Sequence, residues 1–236
     1  VNVPLLLGAG LAAGVVNAIA GGGSLITFPA LLAAGLPPVA ANVTNSIAVC
    51  PGYLASVAGS WRDLPGRVAW GLVPAALAGT AAGCALLLLG PESTFEGVVP
   101  FLVLGASLAL LVPKKESRTA HPAVTHALVA GISVYGGYFG AALGVMMIAG
   151  LSFALAEPLR RISALKNVTS LVSGLTTAVV FGLFAPVDWL AVAVVAPAAI
   201  VGGFAGAKAA RRIPARILRA AIVGFGVLVS GWLFLR

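Results

Sequence analysis

Two short polar clusters interrupt an otherwise apolar chain: Asn42-Val43-Thr44-Asn45-Ser46 and Lys166-Asn167-Val168-Thr169-Ser170. An amide or hydroxyl in apolar surroundings costs free energy unless it is hydrogen-bonded. Capping a helix start uses one Asn or Thr, which leaves most of each cluster needing another partner. One reading makes Asn42, Thr44, Asn45, Asn167 and Thr169 the lining of a polar cavity that hydrogen-bonds a guest. The other makes them caps and interhelical hydrogen-bonders. Lys166 either attracts an anion or snorkels its ammonium to an interface.

Two glycine-rich interruptions are the second source of chemistry. The first is Ala20-Gly21-Gly22-Gly23-Ser24, with Asn17 one turn before it and Pro29 five residues after Ser24. Gly21, Gly22 and Gly23 allow a close backbone approach, and Ser24 is expected to cap the helix that follows. The second runs from Gly136 to Gly144, with Tyr135, Tyr138 and Gly140 in or beside it. A helix broken inside lipid releases N–H and C=O groups that only protein, water or a guest can satisfy. A helix that starts at such a break points its positive end into the site and favours an anion. Asn17, Gly21, Gly22, Gly23, Ser24, Tyr135, Gly140 and Gly144 therefore join the candidate binding residues. The competing reading is a packing turn at the first break and small-xxx-small helix packing through Gly136, Gly140 and Gly144 at the second.

Other chemistries find no carrier. No Asp or Glu falls deep in an apolar segment, so a proton relay through a buried carboxylate is not indicated; His126 is expected near the surface. No P-loop, zinc motif or nucleophile elbow occurs. Hence no catalytic residue, no metal ligand and no cofactor is assigned, and the chain is not expected to be an enzyme. Cys50 and Cys84 match no metal spacing and read as small packing residues, with a substrate contact by Cys50 as the sharper alternative.

The elements that must hold these residues are set by composition. Hydrophobic residues make up 60% of the 236 residues and charged ones 8%, and mean hydropathy is +1.09. Soluble domains carry about a quarter charged residues, so the bilayer is the solvent. The fold expected is an all-α polytopic membrane protein. Segments 40–60, 68–89, 96–113, 164–184, 188–207 and 217–235 are long enough to span. Segments 3–20 and 25–36, and 124–137 and 141–156, form glycine-split pairs whose second members are too short. The net charge of +8 sits in patches such as Lys114-Lys115 and Arg211-Arg212, which fits the positive-inside rule and not nucleic-acid binding. Ala18-Ile19-Ala20 imitates a signal-peptidase site without a basic n-region, so no signal peptide is expected. The start at Val1 leads us to expect that a residue or more has been removed.

The chain repeats itself. Pro74–Gly83 matches Pro197–Gly206 at six of ten positions, 123 residues apart. Asn42-Val43-Thr44 returns as Asn167-Val168-Thr169, and Asp63 as Asp188, both at 125. Ala13-Gly14 and Ala130-Gly131 align at 117. The expected organisation is a first repeat over 1–113, a cytoplasmic linker over 114–121 and a second repeat over 122–236. If each glycine-split pair is a re-entrant hairpin, each repeat crosses three times and the two are inverted. One face then gathers thirteen basic and three acidic side chains, net +10, and the other is net −2. Eight full spans with parallel halves would divide the charge as +3 and +5, without bias. The positive-inside rule favours two inverted repeats with the basic loops in the cytoplasm. Inverted repeats broken at matching positions point to a transporter site between them.

The residues also carry a resemblance. Asn17 through Leu31, followed by Ala41-Asn42-Val43-Thr44-Asn45, resembles the first-half signature of the sulfite exporter TauE/SafE family. Tyr135-Gly136-Gly137-Tyr138-Phe139-Gly140-Ala141, Ala164-Leu165-Lys166-Asn167 and Gly206 through Pro214 resemble its second half. The second break departs from that pattern, having Gly140-Ala141-Ala142-Leu143-Gly144 in place of a full triple glycine. The resemblance implies a bacterial plasma-membrane transporter of sulfite, sulfoacetate or related sulfur-containing or organic anions. The expectation is therefore export of a small anion by alternating access, in a multi-pass inner-membrane protein. Its partners are the anionic substrate and the lipid bilayer, no nucleic acid, and in its assembly a homodimer to be tested. An anion channel, a cation-coupled importer and a non-transporting scaffold are the competing functions.

Overall fold

The computed structural model describes residues 2–19, 22–109, 121–209 and 215–234. Among them the secondary structure is helical throughout: α1 (Val3–Ile19), α2 (Ser24–Ala33), α3 (Pro38–Ser60), a 3-10 turn (Trp61–Asp63), α4 (Gly66–Leu89), α5 (Glu92–Ala109), α6 (Pro122–Tyr138), α7 (Leu143–Ala154), α8 (Leu159–Phe184), α9 (Trp189–Ala209) and α10 (Ala215–Phe234). The joining stretch 114–120, with Lys114, Lys115 and Arg118, and the pair Arg211 and Arg212 lie outside the described residues.

Each of the six long apolar segments coincides with one helix. By length and sustained apolarity α4 and α8 are long enough to cross a membrane; α3 is 23 residues long but carries the first polar cluster. The glycine interruptions are real ends of helices. α2 has 10 residues and α7 has 12, about 15 and 18 Å at 1.5 Å per residue, roughly half a hydrocarbon core. α2 ends where Gly35 takes φ +97 and the Leu36 N–H reaches back to the Leu31 carbonyl at 3.1 Å, a glycine-terminated helix end.

Packing pairs helices that are distant in sequence. α1 lies along α9, α4 along α6, α3 against α8, and α5 against α10, while α2 and α7 each pack on the helices flanking them. Exchanging α1–α5 for α6–α10 leaves these pairings intact. The duplicated Pro–Gly decapeptide explains two of them. A Cβ at Gly83 of α4 would stand 2.0 Å from the Val134 carbonyl oxygen of α6, and one at Gly202 of α9 would stand 2.1 Å from the Leu11 oxygen of α1. The reciprocal glycines, Gly137 and Gly14, meet the Thr80 and Ala199 oxygens at 2.1 Å each. Only a residue without a side chain permits backbones this close, which is how helices gain contact where lipid offers no hydrophobic drive.

Polar ties cross the bundle. The Thr80 hydroxyl of α4 donates to Ser173 Oγ of α8 at 2.8 Å, and the Ser230 hydroxyl of α10 donates to the Pro100 carbonyl of α5 at 2.9 Å. At one end, Arg160 Nε stands 3.7 Å from Asp63, which brings the turn after α3 beside the start of α8. Arg161 pairs with Glu157 at 3.0 Å one helical turn away. Both pairs are largely exposed and contribute at most about 1 kcal/mol each.

Candidate functional site

The site is assembled from the two helix breaks and the central pair α3 and α8. At the first break Gly22 takes φ +147, and its N–H donates to Asn17 Oδ1 at 3.2 Å. α2 begins at Ser24 with Gly23 as its cap and without a side-chain capping bond, which corrects the expectation that Ser24 caps this helix. Ser24 is the first helical residue, and its side chain is buried toward the bundle centre. Gly23 is indispensable for another reason: a Cβ there would lie 2.3 Å from the Ala13 carbonyl oxygen of α1.

The second break reaches the same result by different means. Gly140 has φ +76, and Ala142, which caps α7, sits in the left-handed region at φ +57. A non-glycine residue there carries about 1–2 kcal/mol of strain. The Tyr135 hydroxyl donates to the Ala141 carbonyl at 2.7 Å. The Tyr138 carbonyl, at the end of α6, accepts from Asn42 Nδ2 of α3 at 2.9 Å. Phe139 is buried and meets Phe28 of α2 edge to face, with ring centroids 5.2 Å apart. Helix packing through Gly136, Gly140 and Gly144 as one stripe is not what forms, because the helix stops between them; Gly137 makes the close contact instead.

Two small cavities open where the breaks meet, each of about 20 Å³. That is room for about one water-sized body. The first is bordered by Ser24, by Asn45, Ser46, Val49 and Tyr53 of α3, by Gly136, Gly140 and Leu143, and by Ser173, Gly174 and Thr177 of α8. The second is bordered by Asn17, Gly22 and Ser24 of the first break, by Gly140, Ala142, Leu143 and Gly144 of the second, and by Tyr53, Ser56 and Lys166. The starts of α2 and α7 thus converge on one cavity, and the Lys166 side chain runs beside Gly144, with Cδ 3.3 Å and Nζ 3.9 Å from where a Cβ would stand. None of the described residues bordering either cavity is acidic. Two positive helix ends, one ammonium and a set of hydroxyl and amide donors are groups that stabilise negative charge.

Residues 6–233 match the model of the sulfite exporter TauE/SafE family. The chain belongs to that family. A probable membrane transporter protein of Haemophilus influenzae is 30% identical over 217 residues, covering 86% of this chain and 83% of that one. The probable membrane transporter protein YfcA of Escherichia coli is 32% identical over 231 residues, covering 89% and 81%. The probable membrane transporter protein ORF9 of a Sinorhizobium species is 27% identical over 221 residues, covering 89% and 84%. No solved structure matches the chain at a significant level. The family and these relatives set this TauE/SafE member among membrane transporter proteins.

Of the residues singled out from the sequence of this TauE/SafE chain, Asn17, Gly22, Ser24, Asn45, Gly140, Gly144 and Lys166 border the cavities. Gly21 lies outside the described residues. Gly23 and Tyr135 shape the breaks from behind. Asn42, Thr44, Asn167 and Thr169 are buried but do not border either cavity. Their partners are protein groups: Thr44 Oγ1 accepts from the Asp188 N–H at 3.0 Å, Asn167 Nδ2 donates to the Ser56 carbonyl and Ser60 Oγ at 3.0 and 2.9 Å, and the Thr169 hydroxyl turns back to its own helix. None of them caps a helix start, because α3 and α8 begin earlier, behind Pro37 and Pro158. Asn45 accepts a short hydrogen bond from the Thr27 hydroxyl of α2. Cys50 and Cys84 are buried and free, and the His126 side chain is exposed near the start of α6.

Sequence reasoning passed over Tyr53, Ser56, Ser173, Gly174 and Thr177. Each lies in a span already counted as apolar, with no local motif. The one available signal was helical spacing: Asn45, Val49, Tyr53 and Ser56 fall on one stripe of α3 at steps of four, four and three.

Proposed function

We propose that this TauE/SafE member is a secondary transporter that exports a small oxyanion or sulfonate across the bacterial inner membrane by alternating access. The observation that carries the reading is the second cavity, where both helix breaks and Lys166 meet and none of the described lining residues is a carboxylate. A sulfite or sulfonate group offers three acceptor oxygens, and the donors around the cavity are N–H, hydroxyl, amide and ammonium groups. An inside-negative potential drives a monoanion outward by ~2.3 kcal/mol per 100 mV, so export needs no coupling ion.

Alternating access is favoured over an open channel because the cavities hold about one water each. An oxyanion of four heavy atoms needs the site to open before it enters. Two inverted repeats, 1–113 and 122–236 joined by a cytoplasmic 114–121, supply the moving parts in this reading. Two observations support that architecture: the exchange of packing partners between α1–α5 and α6–α10, and the 3.7 Å approach of Arg160 to Asp63. Eight full spans with parallel halves would put those two loops on opposite faces. The same approach joins two of the basic loops taken to be cytoplasmic.

Purified protein in liposomes, loaded with sulfite or with a sulfonate, is expected to release the anion at a rate that rises with imposed potential and is unchanged when Na⁺ or the proton gradient is removed. Lys166→Gln is expected to slow release about tenfold, the loss of one charge-assisted contact. Absence of potential-dependent flux for every oxyanion offered would reject the reading, and dependence on a cation gradient would replace it with coupled import.

A further inference from the structure

The two cavities share a thin wall. Ser24, Tyr53, Gly140 and Leu143 border both, and of these four only Tyr53 and Leu143 have large side chains. Along α3 the bordering residues run Asn45, Ser46, Val49 and Tyr53 for one cavity, then Tyr53 and Ser56 for the other. Along α8, which packs against α3, they run Thr177, Gly174 and Ser173, then Lys166. The cavities are therefore successive stations on one polar strip, about 16 Å long from Asn45 to Ser56 at 1.5 Å per residue.

Both wall side chains rest on glycines. A Cβ at Gly174 would lie 2.8 Å from Tyr53 Cδ2, and one at Gly136 would lie 2.9 Å from Leu143 Cδ1. Tyr53 also stands two residues beyond Pro51, which lies inside α3. Proline has no N–H to give the Ile47 carbonyl, so the helix is weakened where it carries Tyr53 and can bend there. The corresponding position of α8 is Thr176, so this hinge belongs to one half only.

The geometry points to Tyr53, hinged at Pro51 and seated on Gly174, as the gate that together with Leu143 separates the two stations of the translocation route. With the ring seated, the station at Asn45 and Thr177 is closed off from the one at Lys166. When the segment beyond Pro51 swings, the ring leaves Gly174 and the two volumes merge. This rests on the transporter reading, but it concerns a connection between cavities and does not depend on which anion passes.

The test therefore needs no substrate. In a Cys50→Ser, Cys84→Ala background, reporters Ser56→Cys (Lys166 station) and Ser46→Cys (Asn45 station) are reacted in liposomes with small membrane-impermeant methanethiosulfonates, one anionic and one cationic, from each side in turn. From the side that labels Ser56→Cys, Ser46→Cys is expected to react about tenfold more slowly while Tyr53 is present. Tyr53→Ala, and to a lesser degree Leu143→Ala, should remove that difference without changing Ser56→Cys, whereas Tyr53→Phe should keep it. Equal rates at the two reporters with Tyr53 in place, no effect of either alanine variant in protein that retains its melting temperature, or a Ser56→Cys that no side can reach would each overturn the gate. A gate that behaves as expected beside absent anion flux would leave the gate standing and reject the substrate.

Discussion

The two helix breaks occupy corresponding places in the chain and are built in opposite ways. The first is made of glycine and closed locally: Asn17 satisfies the Gly22 N–H from one turn away, and Gly23 presses against α1 of the same hairpin. The second has a single glycine, Gly140, between its two helices, holds Ala142 in the left-handed region, and closes with side chains. These are the Tyr135 hydroxyl from one turn before the break and two groups borrowed from the other half, the Asn42 amide and the Phe28 ring against Phe139. A break built from backbone freedom is self-contained. A break built from side chains is conditional on its neighbours, so movement of α3 or α2 is transmitted to it. The second break is therefore the one whose shape depends on how the two halves sit.

That contrast can be broken first at Gly23. Gly23→Ala would drive a Cβ against a carbonyl of α1, with no flexible side chain to yield, and is expected to cost about 3 kcal/mol or more, read as a lower melting temperature in detergent. Next comes Asn42→Leu, which leaves the Tyr138 carbonyl without its amide partner and is expected to cost about 2 kcal/mol. The repeat-related Asn167→Leu should cost under about 1 kcal/mol, because the Ser56 carbonyl still accepts from the Ser60 hydroxyl. Equal losses for the two variants would erase the proposed difference between the halves. Tyr135→Phe should cost about 1 kcal/mol through the Ala141 carbonyl, and an unchanged melt would remove the tyrosine from the second break. The smallest effect is of opposite sign: Ala142→Gly should raise stability by about 0.5–1 kcal/mol by relieving left-handed strain. A loss of stability would mean that the backbone at Ala142 is not strained.

Much of the fold was legible. Six long apolar runs became six helices, and the two glycine clusters became helix ends, because apolarity and missing side chains act over a few neighbouring residues. The duplicated decapeptide was legible as a repeat, though not as what it does. Gly83 and Gly202 make sense only once α6 and α1 lie against them. The candidate site was legible in part. Ser24, Asn45, Gly140 and Lys166 border the cavities, while Asn42 and Asn167 do not and give their amide N–H groups to protein oxygens. Polarity in an apolar span signals that a partner exists, and it does not say whether the partner is a guest or a neighbouring helix.

The sequence by itself determined the solvent, the helices and the places where they break, since each follows from local composition and backbone freedom. It also raised the expectation of an anionic guest, through the absence of Asp and Glu from the apolar segments and the two broken helices. The tertiary structure alone decided which polar groups face a cavity, that both breaks open onto the same one, and that Tyr53 stands between its two parts. Those outcomes depend on the rotation and approach of α3 and α8, set by contacts between residues more than a hundred positions apart, such as Asn167 with Ser56 and Thr44 with Asp188.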